Sequence, residues 1–314
     1  MIDIIIPLYN SDTIWDTLAS IAYQSDTDVS VTIVDDCSSK AYDYSKMLDF
    51  FKKYLDIHYY RLDKNSGPGV ARQVGIEKTS SPYIMFLDSD DSLGGVEVIS
   101  KIKEYIQKED NDLTIGIFVE ETPGDVFFHE NDQTWLHGKI YKREFLMNHH
   151  IHFNNTYKNE DNFFNQLLLL HKPKIGYLDE TLYVYRNNMS SLTRANDYAY
   201  NYEGTIYYTF NISEAMREAK EDGCDPFLIS VLGFRCLVPV YYYYIEYYQK
   251  KDVSKLIEYG KRIYRMIDFN LLNDDIITEA FRSYISFVLD TNYQFLLSGV
   301  SFDEFKKMLG DEND

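Results

Sequence analysis

The chain has 314 residues, 45% hydrophobic and 26% charged, enough apolar side chain for one large or two smaller cores, which excludes a disordered or collagen-like polymer. Lysine and arginine number 31 against 50 aspartates and glutamates, a net charge of -19 shared by both halves. Neither half therefore offers a basic face for extended nucleic-acid binding or for an anionic lipid surface.

Met1-Ile2-Asp3 runs directly into an apolar strand, Ile2 to Ile6, without the basic region of a secretory signal. Pro7 stops that strand. Ser11 or Asp12 is expected to cap a helix carrying Ile14, Leu18 and Ile21 on one face. Val29 to Val34 predicts a second strand ending at Asp35-Asp36, followed by a helix over Tyr44 to Tyr54 and a strand over Ile57 to Tyr60. Asn65-Ser66-Gly67-Pro68-Gly69 reads as a tight turn opening a helix through Ile76, with Pro68 suited to its first turn. Tyr83 to Leu87 is a further strand, ending at Asp88-Ser89-Asp90-Asp91. A helix bearing Val96, Ile99, Ile102 and Ile106 then leads to a strand over Leu113 to Val119. Strands alternating with helices predict an α/β fold whose mostly parallel sheet is covered on both faces.

Beyond residue 120 the pattern mixes. Val126 to Phe128 and Tyr183 to Tyr185 read as strands, and Asn162 to Leu170 as a helix. The polar stretch Asn187 to Asn196 reads as a boundary, so residues 1–195 are expected to form the main domain and 196–314 a helical region. The apolar groups there are Ile206 to Ile212, Phe227 to Tyr248, Leu256 to Ile267 and Ile277 to Leu297, followed by an acidic tail after Gly310. Tyrosines bunch from Tyr241 to Tyr248, a pattern of packing or of an oligomer interface. No apolar run reaches the ~18 residues of a membrane span, the longest being Phe234 to Ile245 with Arg235 and Pro239 inside it. The cysteines, Cys37, Cys224 and Cys236, are too few for a disulfide framework or zinc site, and fit a reducing cytosol.

Ligands of open parallel sheets bind beyond the carboxyl ends of the strands, where three polar clusters fall: Pro7 to Asn10, Asp35-Asp36 and Asp88 to Asp91. Three carboxylates in four residues after a buried strand suit Mg²⁺ or Mn²⁺, against the plainer reading of a solvated helix-capping turn. Gly67 to Arg72 resembles a dinucleotide fingerprint, but Arg72 stands where its third glycine should be, and no P-loop is present. Arg72 could face a diphosphate or lie on the surface. Glu160-Asp161 is either a favourable helix start or a general base with its neighbour.

In their order and spacing these clusters resemble the family 2 glycosyltransferases of the GT-A fold. The resemblance rests on Ile4 to Asn10, Ile33 to Ser38, Asn65 to Gly75, Phe86 to Asp91 and Glu160 to Phe164, with Gly138 to Leu146 similar to a segment of many members. It covers about residues 1–195 and implies a metal-dependent, inverting transfer of a sugar from a nucleotide, UDP above others, to a hydroxyl. The same resemblance implies that Pro7 and Tyr9 border uracil and ribose, and that Asp36 accepts from the uridine. Asn65 and Arg72 would lie along the nucleotide and diphosphate, Asp88 would contact ribose or metal, Asp90 of the DXD motif would ligate Mn²⁺ or Mg²⁺, and Asp161 would be the catalytic base. His137 is a candidate for the metal-binding histidine of some relatives, and Cys37 departs from the small residue usual before the serine. The implied acceptor is a glycan, teichoic-acid-like polymer or lipid-linked glycan, met in the cytoplasm or peripherally at a membrane, with residues 196–314 serving acceptor binding or oligomerisation into a homo-oligomer. Alternatives are a phage-type enzyme modifying DNA bases and a non-catalytic nucleotide-sugar-binding scaffold.

Overall fold

The computed structural model describes residues 1–186, 198–290 and 300–310, and the chain divides into two compact units. The first comprises residues 1–168 and 172–195, the second residues 169–171 and 196–314. The expected boundary at Asn187 to Asn196, the end of the apolar group at Leu297 and the tail after Gly310 lie outside the described residues.

In the first unit β1 (Ile2–Leu8) is buried along its whole length, as a central parallel strand requires. It is followed by α1 (Ile14–Ala22), which buries Ile14, Leu18 and Ile21 against the sheet; each such side chain contributes about 1.5–3 kcal/mol. The expected cap at Ser11 or Asp12 is corrected: the N-cap is Thr13 and makes no side-chain capping bond. The hydroxyls of Ser11 and Thr13 donate instead to the carbonyl of Ser89, at 3.0 and 3.2 Å, because a long-range partner is within their reach.

Next come β2 (Ser30–Asp35), α2 (Ser45–Phe51), β3 (Asp56–Arg61), α3 (Pro68–Lys78), β4 (Tyr83–Phe86), the two-residue β5 (Ser92–Leu93) and α4 (Val98–Lys108). After these follow β6 (Leu113–Glu121), β7 (Val126–His129), β8 (Lys139–Lys142), α5 (Arg143–Asn148), α6 (Glu160–Leu170) and β9 (Ile175–Tyr185). Pro68 occupies the first turn of α3, where its missing amide leaves no bond unmade.

The nine strands form one sheet in the order β3-β2-β1-β4-β8-β6-β9-β5, with β7 hydrogen-bonded to β6. The stretch β3-β2-β1-β4 is parallel, as strand–helix–strand crossovers demand. Beyond β4 the pairing is mixed: β8 runs antiparallel to both β4 and β6, while β6 and β9 are parallel. This second stretch brings the loop before β8, and β9, to the carboxyl end of β4.

The second unit is helical: α7 (Tyr198–Glu221), α8 (Pro226–Tyr247), α9 (Ser254–Met266), a short 3₁₀ turn (Phe269–Leu271), α10 (Asp274–Asp290) and α11 (Phe302–Gly310). The bunched tyrosines pack: Tyr241 lies 5.2 Å from Phe302, Tyr244 5.3 Å from Phe305, and Tyr243 6.2 Å from Tyr208, ring centre to ring centre. One expectation is corrected. Helix α8 runs through Pro239 for 22 residues and is, by length and composition, apolar enough to cross a membrane. Half of its apolar window is buried inside the structure, including Phe234, Leu237, Val238 and Val240.

Candidate active site

The carboxyl ends of β1, β2 and β4 lie side by side, and four loops meet there. At the end of β1, Asn10 adopts a left-handed backbone (φ 48°). Its amide donates to the Ser38 hydroxyl at 2.9 Å, and its side-chain oxygen accepts from the Ser39 amide at 2.7 Å. The β1 loop is thereby tied to the β2 loop. Pro7 is buried within β1; Tyr9 is half exposed at the rim and Asn65 exposed in the loop before α3.

The Asp35-Asp36 pair is consumed by its own surroundings. Asp35 accepts from the Ser38 amide, the Tyr59 hydroxyl and Arg61. Burial pushes its carboxyl up, but those partners outweigh burial and hold it below the usual range. Asp36 accepts from the amides of Ser66 and Gly67, both at 2.7 Å, one on each oxygen. Burial raises its carboxyl against those two bonds. The residue expected to meet the uridine thus fastens the turn that opens α3.

That turn depends on its glycines for reasons other than phosphate binding. Gly67 holds φ 92°, and a Cβ there would lie 3.1 Å from the Tyr157 ring. A Cβ on Gly69 would lie 2.9 Å from Cγ of Glu160. The start of α3 is therefore pressed against the segment leading into α6, which carries Arg72 across to the acidic side chains. The guanidinium is buried and donates through Nη2 to Asp88 Oδ1 at 2.6 Å and through Nη1 to Glu160 Oε1 at 2.8 Å. Burial alone would favour a neutral arginine; Asp88 and Glu160 reverse that and hold it firmly charged. In return Arg72, aided by His137, holds Asp88 far below the ordinary carboxylate range despite burial.

Asp161, next to Glu160 at the start of α6, is pushed in the opposite direction. Burial and the Glu160 charge raise it, to about 7, against the pull of Arg72. A carboxyl poised near neutrality can accept a proton and release it again.

Asp91 is fully buried, raised to about 8 by burial and by the charges of Asp88 and Asp90. It accepts from the Tyr183 hydroxyl of β9 and, at 2.9 Å, from the Arg186 amide. Its carbonyl accepts from Thr17 of α1 at 2.8 Å. His137, just before β8, stacks on Tyr183 at 4.4 Å, and its Nε2 lies 3.9 Å from Asp88 Oδ2. The loop carrying His137 is held by Lys139, buried and bonded to Asp132 and the Trp135 carbonyl, and by Asn165 of α6, which donates to the Thr134 carbonyl at 2.7 Å.

These side chains suit a divalent cation. Asp88, Asp91 and His137 offer ligand atoms within 4.8 Å of one another, and Nδ1 of His137 is buried without a hydrogen-bond partner. Two carboxylates and an imidazole are a donor set for Mn²⁺ or Mg²⁺. Asp90, the expected direct ligand, is half-buried beside the group and not one of its three members. Asp91 belongs to the acidic run read as a metal site, though only Asp88 and Asp90 were expected as ligands; Tyr183 was expected only as part of a strand. Nothing local in β9 marks Tyr183.

The mixed sheet, parallel from β3 to β4 and flanked by helices, is a GT-A fold. The chain belongs to glycosyl transferase family 2, whose family model matches residues 3–159. It is 28% identical over 204 residues to the poly(ribitol-phosphate) beta-N-acetylglucosaminyltransferase TarS of Staphylococcus aureus, covering 58% of this chain and 35% of that protein. It is 31% identical over 176 residues to a teichoic acid poly(glycerol phosphate) polymerase of Staphylococcus epidermidis, covering 49% of this chain and 24% of the polymerase. The matched region thus spans about a third or less of these curated relatives. Among solved structures, residues 1–349 of S. aureus TarS in complex with UDP-GlcNAc share the fold over 98% of this chain and 90% of that one, with TM-score 0.65 and 18% identity. The likeness therefore extends past residue 195 into the helical unit. A mannosyltransferase from Pyrobaculum calidifontis in complex with GDP-Man and Mn²⁺ shares it less closely, with TM-score 0.52 and 11% identity over 98% of this chain and 84% of that one.

Proposed function

We propose that this chain transfers a sugar, N-acetylglucosamine first among the candidates, from UDP to a hydroxyl of a polyol-phosphate or other cell-surface polymer, with inversion at the anomeric carbon. The observation that carries this reading is the meeting of Arg72, Asp88 and Glu160 beside Asp161, whose carboxyl burial and the Glu160 charge raise to about 7. The TarS relationship supports the donor and the acceptor class.

In this mechanism Asp161 takes the proton of the attacking hydroxyl as its oxygen bonds to the anomeric carbon. The bond from that carbon to the diphosphate breaks on the opposite face, so configuration inverts. Arg72 keeps Asp88 ionised and Glu160 turned toward α3, which leaves Asp161 as the carboxyl of the pair able to accept the proton. Pro7, Tyr9, Asp36 and Asn65 would border the nucleoside. Asp88, Asp91 and His137, with Asp90 adjacent, would hold Mn²⁺ or Mg²⁺, which when bound supplies positive charge against the leaving diphosphate. All three cysteines are free thiols, which supports reading this enzyme as cytosolic.

The test is UDP release from UDP-GlcNAc with Mn²⁺ and poly(ribitol phosphate). Acceptor-dependent release is expected, and Asp161→Asn should lower kcat by about 10²–10⁴ while calorimetric UDP affinity stays near wild type. Near-wild-type turnover by Asp161→Asn would refute the base. Absence of any Mn²⁺-supported binding of a UDP-sugar would refute the donor class.

A further inference from the structure

Away from the strand ends, three side chains of the second unit form a chain of nucleophile, base and orienting acid. Helix α7 closes with a glycine-terminated turn: Gly223 is left-handed (φ 76°) and its amide donates to the Lys220 carbonyl at 3.2 Å. The Cys224 amide donates to the Ala219 carbonyl at 2.8 Å, completing the paired bonds of a Schellman cap. The reversal at Gly223 presents Asp222 and Cys224 to one partner, His171. The Cys224 Sγ lies 3.5 Å from His171 Nδ1, and His171 Nε2 lies 3.4 Å from Asp222 Oδ2, an ion-pair contact without a hydrogen bond. The imidazole is nearly buried, Asp222 is 42% exposed and the thiol is half-buried, so solvent reaches the group from the Asp222 side.

We propose that Cys224 is a reversible modification site, a thiol activated by His171 and Asp222 that exchanges with low-molecular-weight disulfides. The Cys224 proton passes to His171 Nδ1, and Asp222 stabilises the imidazolium through Nε2. The thiolate attacks one sulfur of the disulfide. A new S–S bond joins Cys224 to half of the reagent, the old S–S bond breaks, and the other half leaves as a thiolate; no net oxidant beyond the disulfide is consumed. His171 is essential to this argument. Asp222 and Asp225 flank the cysteine, and without an imidazole to take the proton two nearby carboxylates oppose the thiolate.

The other cysteines provide the measure. Cys236 is buried and burial pushes its thiol up to about 11, which makes it inert. Cys37 is half-buried, with Sγ 3.5 Å from the Asp63 carbonyl and no imidazole as base in its bonding.

The full chain is treated with oxidised glutathione at neutral pH, and mixed disulfide at each cysteine is followed by peptide mass spectrometry. Cys224 should react about threefold or more faster than Cys37, since the gain in thiolate is partly offset by its lower intrinsic nucleophilicity. His171→Asn should bring Cys224 to or below the Cys37 rate, and Asp222→Asn should give an intermediate rate. Equal rates at Cys224 and Cys37 in the unmodified chain would overturn the proposal without any variant, as would an unchanged Cys224 rate in a folded His171→Asn. Sugar transfer is not the readout, so either outcome leaves the glycosyltransferase reading where it stands.

Discussion

Two neighbouring strand ends carry the same signature, an apolar strand closed by acids, and put it to different uses. After β2, Asp35 and Asp36 are surrounded by donors from their own loop and from β3 and α3. After β4, Asp88 and Asp91 are held by groups that arrive from far along the chain: Arg72, His137 and Tyr183. Acids of the first set lock a loop. Those of the second set are crowded with like charges, one carboxyl forced down and another forced up to about 8. Acidic residues at a strand end thus identify a site only when their partners fall short of their charge.

That contrast can be broken by experiment. The largest effect is expected at Arg72. Arg72→Ala leaves a buried Glu160 and a half-buried Asp88 without their cation, which should cost about 3–5 kcal/mol in urea unfolding. A loss below 1 kcal/mol would place those acids with the solvated, loop-locking kind. Second is the pH profile of kcat/KM. Asp161 must be ionised to act, and its carboxyl is raised to about 7. The rate should therefore climb about tenfold per unit below pH 7 and level off above it. A limb centred in the usual carboxylate range would mean that burial and Glu160 do not govern Asp161.

A smaller effect is expected at Asp35, by unfolding alone. Asp35→Asn offers an amide to donors that need a carboxylate, at a cost of about 1–3 kcal/mol at neutral pH. The folded carboxyl lies below its unfolded value, so the advantage of the wild type is complete above the ordinary carboxylate range. It should vanish as pH falls through that lowered value. An unchanged unfolding midpoint with lost transfer would move Asp35 to the reactive side of the comparison.

The sequence made the first stretch of the sheet legible because each strand there is a short apolar run ending in polar residues, and each crossover is a helix with a 3.6-residue period. It also marked Asp88, Arg72 and Asp161 as candidates, and the structure brings Arg72 against Asp88 and near Asp161. What it hid was long-range. His137 and Tyr183 reach Asp88 and Asp91 only because β8 pairs antiparallel with β4 and β9 pairs with β6, and register of that kind leaves no local mark. β5 has two residues, too few for a periodicity. The helix start at Thr13 was obscured because Ser11 found the Ser89 carbonyl, a better partner than its own helix. In α8, Pro239 read as an interruption, yet a helix packed on its neighbours tolerates the one amide that proline lacks.

The smallest effect tests how closely α3 and α6 must approach for the second acidic set to exist. Gly69 is helical and needs no left-handed backbone, so Gly69→Ala removes no conformational freedom the fold requires. Its Cβ would lie 2.9 Å from Glu160 Cγ and 3.1 Å from Glu160 Cβ. Alanine is the better helix former by roughly 0.5–1 kcal/mol, so on propensity alone the variant would gain stability. The contact acts against that gain, because Glu160 must swing away and loosen its bond to Arg72. Stability should therefore change by less than about 1 kcal/mol in either direction, since propensity and overlap are of similar size. Activity should still fall several-fold, and the Asp161 limb should move to lower pH as the Glu160 charge withdraws. A variant more stable than wild type with full activity and an unmoved limb would show that the second acidic set tolerates a wider gap than the 2.8 Å bond from Arg72 to Glu160 implies.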